Sequence, residues 1–195
     1  MLDNKKIQQI KNQVQRYLRD GLIKMEKQKQ FIPFFLNNAK NSLDTARLLF
    51  KVTNDEKLRD DLGFPELDSY LWVINSSYYS MFYITRALLT SRGIAIKTSQ
   101  SIHVITYHAL VHYFYATEKL QKQLVDDFED AGSEASVLLG QEKAKQLVIE
   151  LYREKEKRST FTYELGVSAM KSKARTSLER ATRYNEELRK ILETR

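Results

Sequence analysis

The chain has no cysteine among its 195 residues, which excludes disulfides, thiolate metal sites and a cysteine nucleophile. It also has only six glycines and two prolines. Because sheet proteins need many turns rich in these two residues, their scarcity favours long helices with few connections. No apolar run reaches the roughly 18 residues that a membrane-spanning helix needs, and we expect no signal peptide. The sequence therefore predicts a soluble, cytoplasmic, all-α protein without membrane contact.

Positive charge is concentrated at the two ends of the chain. Residues 1–30 and 141–195 each carry a net charge of +5, whereas residues 31–140 carry −3. A basic surface built from the first and last helices would attract phosphate backbones. A solvated helix face rich in lysine, arginine and glutamate explains the same distribution.

Apolar residues at steps of three and four predict a series of helices. Their predicted ranges are 4–28, 32–52, 67–91, 99–116, 117–130, 133–157 and 160–193. Two breaks depend on glycine: Gly93 is expected to end the third helix, and Gly132 to separate the fifth from the sixth. The acidic segment 53–69 is expected to be a loop with at most one short turn of helix.

These elements predict an up-and-down helical bundle with four to five core helices and an additional N-terminal helix. We divide the chain into an N-terminal amphipathic helical extension, residues 1–30, and a bundle domain, residues 31–195. The narrow apolar stripe of the extension is expected to dock on the bundle or on a second copy of the chain.

The third helix is strongly apolar but carries polar residues in register. Asn75, Tyr79, Phe82 and Arg86 are spaced i, i+4, i+7 and i+11, so they share one stripe. Buried polar side chains need partners, which here could be neighbouring helices or a phosphate group. Lys97, placed just before the fourth helix, could add a modest anion site, although simple helix capping explains the same residues.

Two further groups of residues are candidates for chemistry. Lys157 and Arg158 end a basic run that leads into Tyr163, at the expected start of the last helix, where the helix dipole adds positive potential. His108 and His112 have a spacing that can hold a metal, but no third ligand is apparent. The sequence therefore predicts no metal site and no cofactor.

Several short motifs occur together in this chain: Ser-Tyr-Tyr-Ser-Met-Phe-Tyr at 77–83, Arg-Ala-Leu-Leu at 86–89, Gly93, Lys97-Thr98, the helix at 35–49 and Arg158-Ser-Thr-Phe-Thr-Tyr163. Together they resemble the HEPN family, the higher eukaryotes and prokaryotes nucleotide-binding domains. Their order and spacing cover residues 32–193. The resemblance implies a helical bundle, often a homodimer, and in many members an RNase with an Arg-x(4–6)-His motif. Other members are partners of minimal nucleotidyltransferases in toxin–antitoxin pairs.

This sequence departs from the nuclease motif of that family. No histidine follows an arginine at the required distance, and Tyr163 stands where the matching segment would need histidine. Tyrosine, with a pKa of about 10, exchanges protons poorly near neutral pH. Arg158 could still bind a phosphate and Tyr163 could stack on a base, and the resemblance also makes Tyr163 a candidate for nucleotidylation.

The first hypothesis is a HEPN-like protein that binds nucleotide or RNA, as a homodimer and with a nucleotidyltransferase as a candidate partner. The alternatives are a metal-independent RNase that uses Arg158 and Tyr163, and a structural protein without a ligand. Enzymatic activity is not expected. The candidate binding residues are Asn75, Tyr79, Arg86, Lys97, Lys157, Arg158 and Tyr163.

Overall fold

The structure, a computed structural model, describes residues 2–98, 101–152 and 160–193, with side chains described outside 141–168. Its helices and strands are α1 (Asn4–Arg19), β1 (Ile23–Met25), α2 (Ile32–Asn54), α3 (Glu56–Asp61), α4 (Tyr70–Ser91), β2 (Ile94–Ile96), α5 (Ile102–Leu110), α6 (Lys122–Tyr152) and α7 (Thr160–Glu193). A 3-10 turn precedes α2, and a π-helical turn, Val111–Tyr115, continues α5. The fold is all-α, as predicted. Within the described residues, no helix has the length and apolarity needed to cross a bilayer.

Helix α4 lies at the centre of the bundle, where it packs against α2, α6 and α7. It is buried along most of its length because its sequence is apolar on nearly all faces. The helix ends as predicted: Gly93 has a φ of +74°, which a residue without a Cβ adopts freely. Arg86, near the end of α4, packs on Phe35, near the start of α2. Tyr70, at the start of α4, donates a hydrogen bond to Asn54, at the end of α2, so the two helices are antiparallel.

A polar seam joins α4 to α7 inside the bundle. The Thr85 and Tyr184 hydroxyls lie 2.7 Å apart. Asn185 Nδ2 donates to Ser80 Oγ at 3.1 Å and to the carbonyl of Ala181 at 2.9 Å. These bonds satisfy polar groups that would otherwise be costly to bury.

The first predicted helix is wrong beyond residue 19. Gly21, with a φ of +73°, turns the chain out of α1, and Ile23–Met25 then pairs antiparallel with Ile94–Ile96. Ile10 and Val14 of α1 are 3% and 0% exposed and belong to the main hydrophobic core. The apolar stripe of α1 therefore docks on the bundle of its own chain.

The predicted break at Gly132 is also wrong, because α6 runs without interruption from Lys122 to Tyr152. The glycine has a packing role instead. A Cβ on Gly132 would lie 3.2 Å from Cε2 of Tyr78, closer than side-chain atoms normally approach. Gly132 thus lets the Tyr78 ring of α4 lie against the backbone of α6.

Candidate functional site

Among the described residues, α4, α5 and α6 form an open cleft of about 690 Å³. Its walls are mainly aromatic, and Lys6 of α1 lies at its border. The lining residues are Lys6, Asn75, Tyr78, Tyr79, His103, Val104, Tyr107, His108, Phe128, Glu129, Gly132, Ser133, Ala135, Ser136, Val137 and Leu139. We call this cavity the aromatic cleft.

Asn75 is the exceptional polar residue of the aromatic cleft. Its side chain is only 4% exposed, and neither Nδ2 nor Oδ1 has a hydrogen-bond partner in the described structure. Leaving a buried amide unpaired costs on the order of 1–3 kcal/mol, so such groups are rare in folded proteins. A ligand with a complementary donor and acceptor would satisfy both atoms at once.

Stacked and edge-on rings form the wall beside Asn75. Tyr78 stacks on Phe128, with ring centroids 5.9 Å apart and an interplanar angle of 22°. The Tyr78 hydroxyl lies 2.8 Å from Nδ1 of His103, whose ring also meets Tyr79 edge-on at 5.8 Å. Tyr79 is 39% exposed, so it offers ring surface to a planar ligand.

The opposite side of the aromatic cleft contains a compensated charge. Glu129 accepts hydrogen bonds from Lys6 Nζ and, at 2.8 Å, from the Tyr107 hydroxyl. Burial by itself would raise the pKa of Glu129, but the hydrogen bonds from Lys6 and Tyr107 outweigh it and lower this pKa. The pair leaves this side of the cleft close to neutral, which suits an uncharged planar group better than a phosphate.

The pKa values of all three histidines of α5 and its π-helical turn are lowered by their surroundings. Burial lowers the pKa of His103, and the positive charge of Arg86 lowers it further. Burial, with smaller contributions from nearby lysines, also lowers the pKa of His108 and His112. The Tyr17 hydroxyl lies 3.2 Å from Nδ1 of His108, which ties α1 to this region.

Stability is expected to fall on mild acidification. Unfolded histidines, with a pKa of about 6.5, take up protons that the native state resists, so stability is present above about pH 6.5 and is lost progressively as the pH falls from there toward the lower native pKa values. We expect the melting temperature to be roughly 3 °C lower, or more, at pH 5.5 than at pH 7.5, by circular dichroism. The variant His103→Asn should show a smaller drop than wild type. Equal drops for the two proteins would exclude His103 as a contributor.

The aromatic cleft brings together only some of the residues predicted from sequence. Asn75 and Tyr79 both line it. Arg86 lies outside its lining, with its guanidinium carbon 4.8 Å from the centre of the Phe35 ring. Lys97 pairs with Glu26, at 2.5 Å between Nζ and Oε2, so its charge is already compensated.

The remaining predicted residues fall outside what the structure describes. Lys157 and Arg158 lie outside the described residues. Tyr163 belongs to α7 by its backbone, but its side chain is among those not described. In the described part of the chain, no three His, Asp or Glu side chains converge on a position suitable for a metal ion.

Sequence reasoning missed the residues that α5 and α6 contribute to the aromatic cleft. His103 and Tyr107 are four residues apart and so share one face of α5. Phe128 and Gly132 have the same spacing on α6. These spacings could have suggested two faces, but nothing local indicates that both faces meet Tyr78 of α4.

Comparisons with known proteins place no relative beside this chain. No protein family, no curated protein and no solved structure matches it. The class that the observations define is therefore an all-α bundle with an aromatic, amide-containing cleft.

Proposed function

We propose that this protein is a HEPN-like domain that binds a nucleotide or a short single-stranded segment of RNA, with a base held in the aromatic cleft. The observation that carries this proposal is the buried amide of Asn75, unpartnered within the described structure and lining a cavity walled by aromatic rings. The short sequence motifs that resemble HEPN domains support the same class of ligand, a nucleotide or RNA.

The rings of the cleft suit the faces of a nucleobase. Stacking of a base on an aromatic side chain contributes about 1–3 kcal/mol and tolerates any base, because every base has a π-face. Tyr79, half-exposed at the cleft, is the ring best placed to stack on an incoming base. Tyr78 and Phe128 stack on each other and form a rigid wall behind it.

The amide of Asn75 suits the edge of the same base. It provides one acceptor and two donor protons from a single planar group, and asparagine pairs in this way with the N6 and N7 atoms of adenine. Because the helix holds Asn75 in a buried position, little side-chain entropy would be lost on binding.

Helix α1 supplies the charge that a nucleic-acid ligand would need outside the base site. Lys6 at the border of the cleft is paired with Glu129, but α1 carries exposed cations along its length, including Lys5 and Arg16. A phosphate backbone leaving the aromatic cleft would pass a positive helix, so binding should weaken as salt is raised.

The proposal extends to a homodimer and to a nucleotidyltransferase partner, as the HEPN resemblance implies. Size-exclusion chromatography with light scattering tests the dimer.

Calorimetric titration with ATP, GTP, CTP, UTP and a short single-stranded RNA at low salt tests the proposed ligand class. We expect at least one of them to bind wild type, and Tyr79→Ala to weaken that binding about tenfold through loss of stacking. Trp72→Ala is the matched control, because Trp72 lies on the same helix, is 59% exposed and does not line the cleft. Absence of binding to every ligand would contradict the proposal.

The RNase alternative has its own readout. Incubation of total RNA with a high concentration of the protein is expected to leave the RNA intact. Cleavage that disappears in Arg158→Ala would instead support the metal-independent nuclease of the second hypothesis.

A further inference from the structure

Arg86 is a second buried polar group whose surroundings do not account for it. The residue is 9% exposed, at the centre of the bundle on α4. Its guanidinium lies over the Phe35 ring, 4.8 Å from the centroid, and 5.9 Å from the centroid of Phe82. Ring faces attract the cation, but they accept none of the five N–H donors in ordinary hydrogen bonds.

No described carboxylate compensates the charge of Arg86. Arg180, a mostly buried arginine of α7, behaves differently: its guanidinium lies 3.8 Å from Asp127 and 3.4 Å from Glu134. The guanidinium of Arg86 makes no hydrogen bond and no ion pair within the described residues. Removing a charge from water without a partner is strongly unfavourable, and arginine cannot escape this cost by losing its proton.

Among the described residues, no carboxylate acts on the pKa of Arg86, which burial lowers. The ionisable groups that interact electrostatically with Arg86 are Tyr83, on the same helix, and His103 of α5, whose ring centroid lies 4.4 Å from that of Phe82. The positive charge of Arg86 lowers the pKa of His103, and neither form of an imidazole provides a compensating negative charge. The site therefore has an excess of positive charge and unused donors, and a small anion would supply both missing partners.

We propose that Arg86 is an anion-binding residue that takes a phosphate group, either as free inorganic phosphate or as part of a nucleotide. Phosphate is favoured over a spherical anion because the planar guanidinium fork binds two of its oxygens in parallel. The contacts with Phe35 and Phe82 restrict the guanidinium before the anion arrives. This site stands on residues other than those of the aromatic cleft, so it does not depend on base binding there.

Free inorganic phosphate and the phosphate of a nucleotide can be distinguished by the choice of ligand, and the base site and Arg86 are far apart. Asn75 and Arg86 are eleven residues apart on α4, which corresponds to about 16 Å along the helix axis. A phosphate at Arg86 would thus lie well away from a base at Asn75. Adenosine, which lacks phosphate, probes the base site alone; inorganic phosphate probes Arg86 alone; and ATP probes both.

Calorimetric titration of the full chain with these three ligands tests the proposal. We expect inorganic phosphate to bind wild type and to bind Arg86→Met at least tenfold more weakly, with Arg86→Lys between them because it keeps the charge but not the fork. Arg47→Met, which removes a half-exposed arginine of α2, is the control and should bind as wild type does. Circular dichroism confirms that each variant is folded.

Each outcome of the titration decides the proposal. If Arg86→Met weakens ATP but leaves adenosine unchanged, the phosphate belongs to the nucleotide. If it weakens only inorganic phosphate, the site takes free phosphate. If wild type binds neither inorganic phosphate nor ATP, or if Arg86→Met and Arg86→Lys, both folded, bind them as wild type does, the proposal is overturned. Loss of adenosine binding in cleft variants alone concerns the proposed function and leaves the Arg86 site intact.

Discussion

Replacing Asn75 with leucine is expected to stabilise the protein and to abolish binding in the aromatic cleft. Leucine has a similar size and removes a buried amide that has no partner in the described structure. We expect the free energy of unfolding to rise by about 1–2 kcal/mol, because the cost of an unsatisfied polar group disappears. Thermal and urea unfolding measure this change, and titration with the nucleotide that binds wild type measures the loss of affinity.

The matched control for this experiment is Asn185→Leu. Asn185 is also buried, at 2% exposed, but only its Oδ1 has no hydrogen-bond partner in the described structure, whereas its Nδ2 donates two hydrogen bonds across and along the α4–α7 seam. Leucine there should lower the free energy of unfolding by about 1–3 kcal/mol, since it removes satisfied bonds and leaves partners unpaired. A stability loss in Asn75→Leu as large as in Asn185→Leu, together with unchanged nucleotide binding, would contradict a ligand role for Asn75.

Introducing aspartate at Val14 is expected to destabilise the whole bundle. Val14 is fully buried, and it belongs to the same hydrophobic core as Leu88 of α4 and Leu188 of α7. An unpaired carboxylate at this position should cost about 4 kcal/mol or more, a large share of the stability of a typical domain. The loss of helical signal on heating should shift to lower temperature as one cooperative transition.

The exposed neighbour Gln15 provides the control for Val14→Asp. Gln15→Asp adds the same charge to the same turn of α1 but leaves it in solvent, so its melting temperature should stay close to wild type. If Val14→Asp lost only the helical signal of α1 while the rest of the chain melted as in wild type, residues 1–30 would be energetically independent of the bundle.

The helices that periodicity described well are those with strong local signals. Helix α2 has proline in its first turn, α4 ends before Gly93, and α7 runs from Thr160 to Glu193, as predicted. Each of these rests on a stop signal or a long apolar stripe that lies within the segment itself. Local periodicity is sufficient to predict these helices because the signals that define them lie within each segment and do not depend on tertiary contacts.

The elements that periodicity missed depend on distant partners. Strand β1 is three residues long and exists because Ile23–Met25 meets Ile94–Ile96, about 70 residues further along the chain. Met25 fits the continued helical stripe of Leu18 and Leu22 equally well, so only the pairing decides. Gly132 is the opposite case. Its local sequence predicts a helix break, but it lies inside α6, where the lack of a side chain makes room for the Tyr78 ring.

The sequence by itself determined that this protein is an all-α bundle and that α4 carries polar residues in register. Those properties follow from composition and from the helical repeat, which are local. Only the tertiary structure decided that Asn75 and Tyr79 share a cleft with rings from α5 and α6, whereas Arg86 stands apart between Phe35 and Phe82. The physical reason is that one helical stripe can meet different neighbours along its length, and packing between helices selects them.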